Sequence, residues 1–475
     1  MSEPAEQTAE PAEQTAARAR NVLRNLDREL PLVDEVYRDL HAHPELSGAE
    51  RRTAAVVADR FAVSGFEVHT AVGGHGVVGV LTNGRGPVVA MRGDLDALPI
   101  AEDTGLPYAS TVSATRPDGV IVPVMHACGH DLHTASLLGA ASLLAEHRDS
   151  WSGTLVLIAQ PAEESMHGAK AMLADGLFRA GGRSHVDGGG GFVRPDVVLG
   201  QHCAVTRAGM VHHRPGPAYS ACRNFRITIH GRGAHGAAPH WSVDPVVLAA
   251  QTIMMLQTIT SREVDPDEMT VLTVGSIHAG TRPNIIPAEA VLEVTLRGYS
   301  EAVMDQQQAA LERIVRGVSS AGRAPREPDI ELLEQTPAVV NDATVTSRVR
   351  AVHAALFPAA DMVDFPWANK GSEDFAYYGL PGPDRYDGPP IPVSMWFFGS
   401  TAAETWDATT GLGTMDDASD AGGIGLKERI ARMPGQHTAY YAPDRLPTLR
   451  RGIEAMVGAA LAFLPPPGGG SAVNS

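Results

Sequence analysis

Residues 126–133 read His126-Ala127-Cys128-Gly129-His130-Asp131-Leu132-His133 and concentrate metal-ligand chemistry. An imidazole, a thiol and a second imidazole within five residues suit soft and borderline metal ions. Three further places carry matching groups. Asp94 and Asp96 follow an apolar run ending at Met91, Glu163 and Glu164 follow one ending at Ala159, and His202 closes a run ending at Gly200. A two-metal hydrolytic centre needs several ligands, an open position for water, and a carboxylate outside the ligand set to act as base. Cys128, His130, one glutamate of the 163–164 pair and His202 supply ligands, and the other glutamate supplies the base. No serine stands in a G-x-S-x-G turn, so a serine nucleophile has no support. Gly74-His75-Gly76-Val77-Val78-Gly79 fits G-x-G-x-x-G, but a β run follows instead of the helix a dinucleotide site requires.

The elements that must hold these groups are legible in outline. Val88 to Met91, Thr154 to Ala159 and Asp196 to Gly200 read as buried strands. Between the first two, Leu137, Leu138, Ala141, Leu144 and Ala145 share one helical face. Such alternation predicts an α/β domain with a mostly parallel sheet and helices on both faces, whose ligand site lies at the carboxyl ends of the strands. From about residue 218 the texture changes. Phe225, Ile227 and Ile229 alternate with polar residues, and a helix capped by Asp244 and opened by Pro245 follows. Strands near 270–278 and 289–297, a helix at 301–317 and a strand near 328–334 complete a ferredoxin-like βαββαβ unit. The expected organisation is a metal-binding catalytic domain over 21–217 and 337–464, interrupted by an α+β domain over 218–336. The segment 400–435, rich in Gly, Asp and Thr, reads as a long loop.

Composition narrows the partners. Acidic residues outnumber basic ones 55 to 38, a net charge of −17 with no basic run, which argues against nucleic acid and anionic membranes. Three cysteines in 475 residues do not form a disulfide scaffold. The N-terminus lacks a signal-peptide pattern, and the apolar run Ala455–Leu464 is far short of a membrane span, so a cytoplasmic enzyme is expected. The heptapeptide EPAEQTA occurs twice within residues 3–16, and the chain closes on PPPGGGSAVNS; residues 1–20 and 465–475 read as disordered tails.

The motifs taken together resemble the amidohydrolase branch of the co-catalytic metallopeptidases, which includes aminoacylases, hippurate hydrolases and auxin-conjugate hydrolases. The resemblance spans residues 33–464 and rests on LHAHPELSGAE (40–50), MRGDLDALPI (91–100), MHACGHDLHTA (125–135), QPAEE (160–164), GQH (200–202), GAHGAAPH (233–240), NIIP (284–287) and GSEDFA (371–376). It implies two divalent metal ions held by Cys128, His130, Glu164, His202 and His437, with Glu163 as general base and Asp96 in support. It further implies that His235 stabilises the oxyanion and that Asn284 and Arg297 hold a substrate carboxylate. The inserted domain would serve as lid and dimerisation surface, giving a homodimer. The thiolate leans toward Zn, while the imidazoles and carboxylates leave room for Mn, Co or Ni. The expected reaction is cleavage of an N-acyl amino acid to a carboxylate and a free amino acid. Alternatives are a carboxypeptidase or dipeptidase, and an inactive relative that binds amino-acid conjugates. HACGHD argues against the first, and the intact ligand set and Glu163 against the second.

Overall fold

A computed structural model describes residues 10–179, 192–409 and 424–468. The chain divides into two units. One comprises Met1–Gly216, Val340–Trp367 and Tyr377–Ser475, and the other Pro217–Val339 with Ala368–Ala376.

The first unit is built on a seven-stranded sheet in the order Glu67–Val72, Gly76–Asn83, Gly153–Gln160, Val88–Asp94, Val197–Arg207, Val393–Thr401, Val211–His212. The four strands from Gly153–Gln160 to Val393–Thr401 run parallel, and antiparallel strands flank them on both sides. The central strands are apolar along their whole length because they are covered throughout, as Leu155 to Ala159 illustrate. Helix His130–Glu146 is buried around most of its circumference rather than along one stripe. It packs closely on Leu26–Ala42 and Arg445–Phe463, since a Cβ added at Gly139 would lie 2.6 Å from Ile453 and 3.0 Å from Val33.

Three expectations change here. The strand that carries His202 does not end at Gly200 but runs to Arg207. Its pairing with Val88–Asp94 stops at Gly200, while its pairing with Val393–Thr401, which begins at Val198, continues to Arg207. The tail expected over residues 1–20 is helical from Ala12 to Leu23, with residues 1–9 outside the described part. Ala16, Ala19 and Val22 are fully buried on that helix, which packs on Ala343–Leu356 and Arg445–Phe463. Arg18 donates to the Ser150, Leu461 and Leu464 carbonyls. Composition marks such a segment as polar; what holds it is a stripe of small residues whose partners lie more than 300 positions away. The loop read over 400–435 contains helices Ala403–Asp407 and Ile424–Ala431, with 410–423 outside the described residues. Of the C-terminal tail, residues 469–475 are likewise outside them.

The second unit holds a four-stranded antiparallel sheet in the order Thr270–Ala279, Glu289–Gly298, Ala221–His230, Asp329–Thr336. With helices Pro245–Thr258 and Glu301–Ala321 between strands, this is the ferredoxin-like arrangement. Phe225, Ile227, Ile229, Leu292, Val294 and Leu296 meet Leu248, Leu256, Leu311 and Ile314 in one core. Asp244 caps the first helix by accepting from Val246 N at 2.9 Å.

Three buried histidines of the first unit lie away from the metal-ligand cluster. His212 contacts Thr206 Oγ1 at 2.7 Å, His213 meets His353 at 2.9 Å, and His353 donates onward to the Ala455 carbonyl at 2.9 Å. Burial pushes His212 and His353 down to about 4, and burial with the neighbouring His353 holds His213 well below its ordinary value. All three are therefore neutral in the fold and take up protons on unfolding below about pH 6.5. Their stabilising effect is complete above that pH and is lost as pH falls toward 4, by about 2 kcal/mol per group at pH 5. The urea midpoint should fall between pH 7 and pH 5. A midpoint that is flat down to pH 5 would contradict neutral burial.

Candidate metal centre

The centre grows from the carboxyl ends of three parallel strands. Asp94 ends its strand, Asp96 stands two residues beyond, and Glu163 and Glu164 follow the strand that ends at Gln160. His202 sits where its own strand outruns the neighbour. Cys128 and His130 flank Gly129, the left-handed residue (φ 89°) from which helix His130–Glu146 starts. A side chain at position 129 is doubly excluded: a Cβ there would lie 2.4 Å from Cys203 Sγ. This glycine lets the thiol and the imidazole face the same space.

Several groups of potential ligands form among the described residues, among them Asp94–His130–His133, His133–His202–Cys203 and His130–Glu163–Glu164; two others, Cys128–His130–His202 and Cys128–Glu164–His437, share Cys128. His437 Nε2 lies 3.3 Å from Cys128 Sγ and 3.3 Å from Glu164 Oε1, and Cys128 Sγ lies 3.6 Å from His202 Nε2. His130 Nε2 is 3.7 Å from Glu163 and 3.9 Å from Glu164. Ligands at zinc distances of 2.0–2.3 Å stand about 3.3–3.8 Å apart around a tetrahedron, so these spacings suit a shared cation. His130 Nε2 and Glu164 Oε1 are buried without a hydrogen-bond partner, an expensive arrangement unless a cation satisfies both. The charges agree. Burial pushes the Cys128 thiol well above its ordinary range, and the Glu164 and Glu163 carboxylates push it further. Burial alone would lower His130, yet Asp94, Asp96 and Glu164 raise it to about 10. The cluster calls for positive charge, and the donor set fits divalent metal.

Surrounding groups orient the donors. His130 Nδ1 faces the Asp96 carbonyl at 2.9 Å and its carboxylate at 3.2 Å, which turns Nε2 toward the cluster. The His202 Nδ1–H donates to the Cys203 carbonyl at 2.7 Å, leaving Nε2 toward Cys128. His437 adopts φ 62° and is tied by its N–H to the Ala127 carbonyl at 2.8 Å; its side chain is 55% exposed. His133 and Cys203 are neighbours with other duties. His133 Nδ1 meets Asp94 at 2.7 Å while Nε2 accepts the Cys203 N–H at 2.8 Å. The Cys203 thiol, which burial drives up to about 12, donates to the Cys128 carbonyl.

Sequence reasoning missed the layer behind the ligands. Arg92 is fully buried and bonds Asp94 at 2.6 Å, within the same MRGDLD motif. His41, from the LHAHPE segment, bridges Asp131 at 2.7 Å and Glu102 at 3.0 Å; against the effect of burial, those carboxylates raise it to about 9. Spacing could not reveal the two His41 pairs, because their members lie 90 and 61 residues apart.

His235, Asn284 and Arg297 belong to the second unit. His235 pairs with Ile285 in a two-residue ladder, and the Gly236 N–H donates to the Asn284 carbonyl at 2.8 Å, so the GAHGAAPH and NIIP motifs are adjacent. His235 and Asn284 are exposed. Arg297 donates to the Lys370 carbonyl and to Ser372 Oγ, both at 3.0 Å, joining it to the GSEDFA segment.

The model of peptidase family M20/M25/M40 matches residues 90–405. The chain is 37% identical to the N-acetyl-L-cysteine deacetylase of Bacillus subtilis over 78% of its own length and 81% of that protein. It is 33% identical to thermostable carboxypeptidase 1 of Saccharolobus solfataricus over 77% and 87% of the two chains. A dinuclear metal-binding M20 peptidase of Bacillus subtilis superposes with a TM-score of 0.66 at 25% identity, covering 92% of this chain and 99% of that one. With the family's motifs, fold and donor set all present, the chain belongs to peptidase family M20/M25/M40, in its amidohydrolase branch.

Proposed function

We propose that this protein hydrolyses the amide bond of N-acyl amino acids, releasing a carboxylate and a free amino acid. The observation that carries the proposal is the pair of donor groups sharing Cys128, with the buried carboxylate of Glu163 beside them. Cys128, His130, Glu164, His202 and His437 would hold two divalent ions, Zn on the strength of the thiolate, with Mn, Co or Ni as the substitutes the other donors accept. Such ions, when bound, acidify water and polarise a carbonyl. Glu163 takes the proton from the attacking water on a carboxylate oxygen and hands it to the leaving nitrogen. Asp96 keeps His130 in the tautomer that leaves Nε2 free for the cation. On the second unit, Arg297 and Asn284 are the carboxylate-recognising groups and His235 the oxyanion donor.

The carboxypeptidase relative favours a second reading, hydrolysis of peptides at a free C-terminus, which uses the same groups. A panel of N-acyl amino acids and dipeptides, scored by amine release, separates the two. A homodimer through the second unit is supported by the edge strand Thr270–Ala279 and by Val246, Val247, Met254 and Met255, exposed on helix Pro245–Thr258. A cytoplasmic setting is supported by three free, buried cysteines, and among the described residues no helix is long and apolar enough to cross a membrane.

Three outcomes are expected. Glu163→Gln should lower kcat by about 10²–10⁴-fold with metal content unchanged, whereas Glu164→Gln should lose metal as well; exchanged phenotypes would reverse the assignment. N-acyl amino acids should be cleaved while their C-terminal amides are poor substrates, because a two-pronged guanidinium contact needs the free carboxylate. Equal rates on both would remove Arg297 and Asn284 from substrate binding. Finally, His235→Ala should cost roughly 10²–10³-fold in kcat. If His235 serves the neighbouring protomer, mixing that variant with Glu163→Gln protein should restore activity, because one site of each heterodimer is then complete. Verified subunit exchange with no recovery would place its action within one chain.

A further inference from the structure

Glu50 is a fully buried carboxylate that the proposed chemistry does not use. Its Oε1 accepts the N–H of Gly48 at 2.8 Å and that of Ala162 at 2.8 Å, while Oε2 is buried without a hydrogen-bond partner. Ala162 directly precedes Glu163 and Glu164, and it sits at φ 52°, a left-handed conformation that an alanine avoids. The Ala162 carbonyl is engaged from within its own turn, by the N–H groups of His167 and Gly168 at 3.2 and 3.1 Å and by Ser165 Oγ at 3.2 Å. Its N–H is held from outside the turn by a residue 112 positions earlier. Strained backbone persists where surroundings over-determine it, and such places gather at functional sites.

We propose that Glu50 is a positioning residue: by holding Ala162 left-handed, it sets the direction in which Glu163 and Glu164 leave the strand Gly153–Gln160. The inference rests on the amidohydrolase reading for its kinetic consequence and on the metal-ligand reading of Glu164 for its spectroscopic one. Burial first, and then the charge of Asp96, raises the Glu50 carboxyl to about 7 despite the N–H groups of Glu50 itself, Gly48 and Ala162, and what it offers Ala162 is an acceptor oxygen. An amide oxygen can do the same work.

The test compares Glu50→Ala, Glu50→Gln and Glu50→Ala/Ala162→Gly with wild type, after saturation with zinc for kinetics and with cobalt for absorption spectra. Misplacing a reacting group by about 1 Å costs up to 10²-fold, so Glu50→Ala should lose about 10–100-fold in kcat with KM within a few-fold. Its cobalt bands should shift, because Glu164 is displaced. Glu50→Gln should keep both properties close to wild type. Glycine at 162 adopts the left-handed conformation without help, so the double variant should regain several-fold of the lost kcat. Val57→Ala, a core change in the helix that begins after Glu50, controls for general destabilisation. Glu50→Ala with wild-type cobalt bands and kcat within twofold would overturn the proposal. An equal loss of kcat in Val57→Ala at matched Tm would also overturn it. Wild-type protein inactive on every amide would instead refute the amidohydrolase reading, and the cobalt spectra would still decide the role of Glu50.

Discussion

A single buried carboxylate, Asp96, joins the segments from which the metal centre is assembled. It orients the imidazole of His130, accepts the hydroxyl of Ser47 at 2.6 Å and takes the backbone N–H of Glu164 at 2.9 Å. Burial works against its ionisation, but His130 and these donors keep the carboxyl below its ordinary value. One charged group thus fixes the relative placement of the helix start, the turn after a strand and the 40–50 segment. Without it, the donors of His130 and Glu164 would have no common reference.

The motifs divide into two layers by what their side chains touch. HACGHD, QPAEE, GQH and the region of His437 furnish donors. The 40–50 segment furnishes none, yet it reaches the centre from behind through His41, Ser47 and Glu50. His41 braces Asp131, and Ser47 braces Asp96. Glu45 caps helix Arg51–Val63 by accepting from Arg52 and Thr53 N–H groups at 3.0 and 2.8 Å. Arg92, by donating to its carboxylate, and His133, through Nδ1, brace Asp94. Charges this deeply buried are destabilising unless paired and hydrogen-bonded, and here every carboxylate of the layer has at least one partner. Such a lattice lets donors with no hydrogen bond of their own remain in place. Their desolvation is tolerated because the rigid surroundings leave them no alternative conformation.

Much of this was legible in the linear chain. The order of apolar runs indicated the α/β unit and the ferredoxin-like insertion, because strand and helix periodicities differ and each buried run is short. The candidate donors Cys128, His130, His202 and the Glu163–Glu164 pair were legible because thiol, imidazole and carboxylate near strand ends are chemically conspicuous, whereas His437 came from the family resemblance alone. The position of His202 was read less accurately: a strand that outruns its neighbour keeps the same residue pattern, so its end cannot be seen without the partner strand. The helix at residues 12–23 escaped for a related reason, since alanines on one face signal nothing until the helices they pack against are in place.

What the sequence alone determined is local: the kinds of donor, their spacing around Gly129, the cap at Asp244, and the alternation that separates the two units. Those properties depend on residue type and on neighbours within one or two turns of chain. What only the tertiary structure decided is which donors share a cation-sized space. It alone separates His133, satisfied at both ring nitrogens, from His130, whose Nε2 is left without a hydrogen bond. It also decided that Cys128 is shared by two of the candidate donor groups while the Cys203 thiol bonds a carbonyl, and that Glu50 reaches Ala162 across 112 residues. These are matters of direction and satisfaction. They are settled by long-range hydrogen bonds in a water-poor interior, where an unmade bond is costly and each polar group must have found its partner.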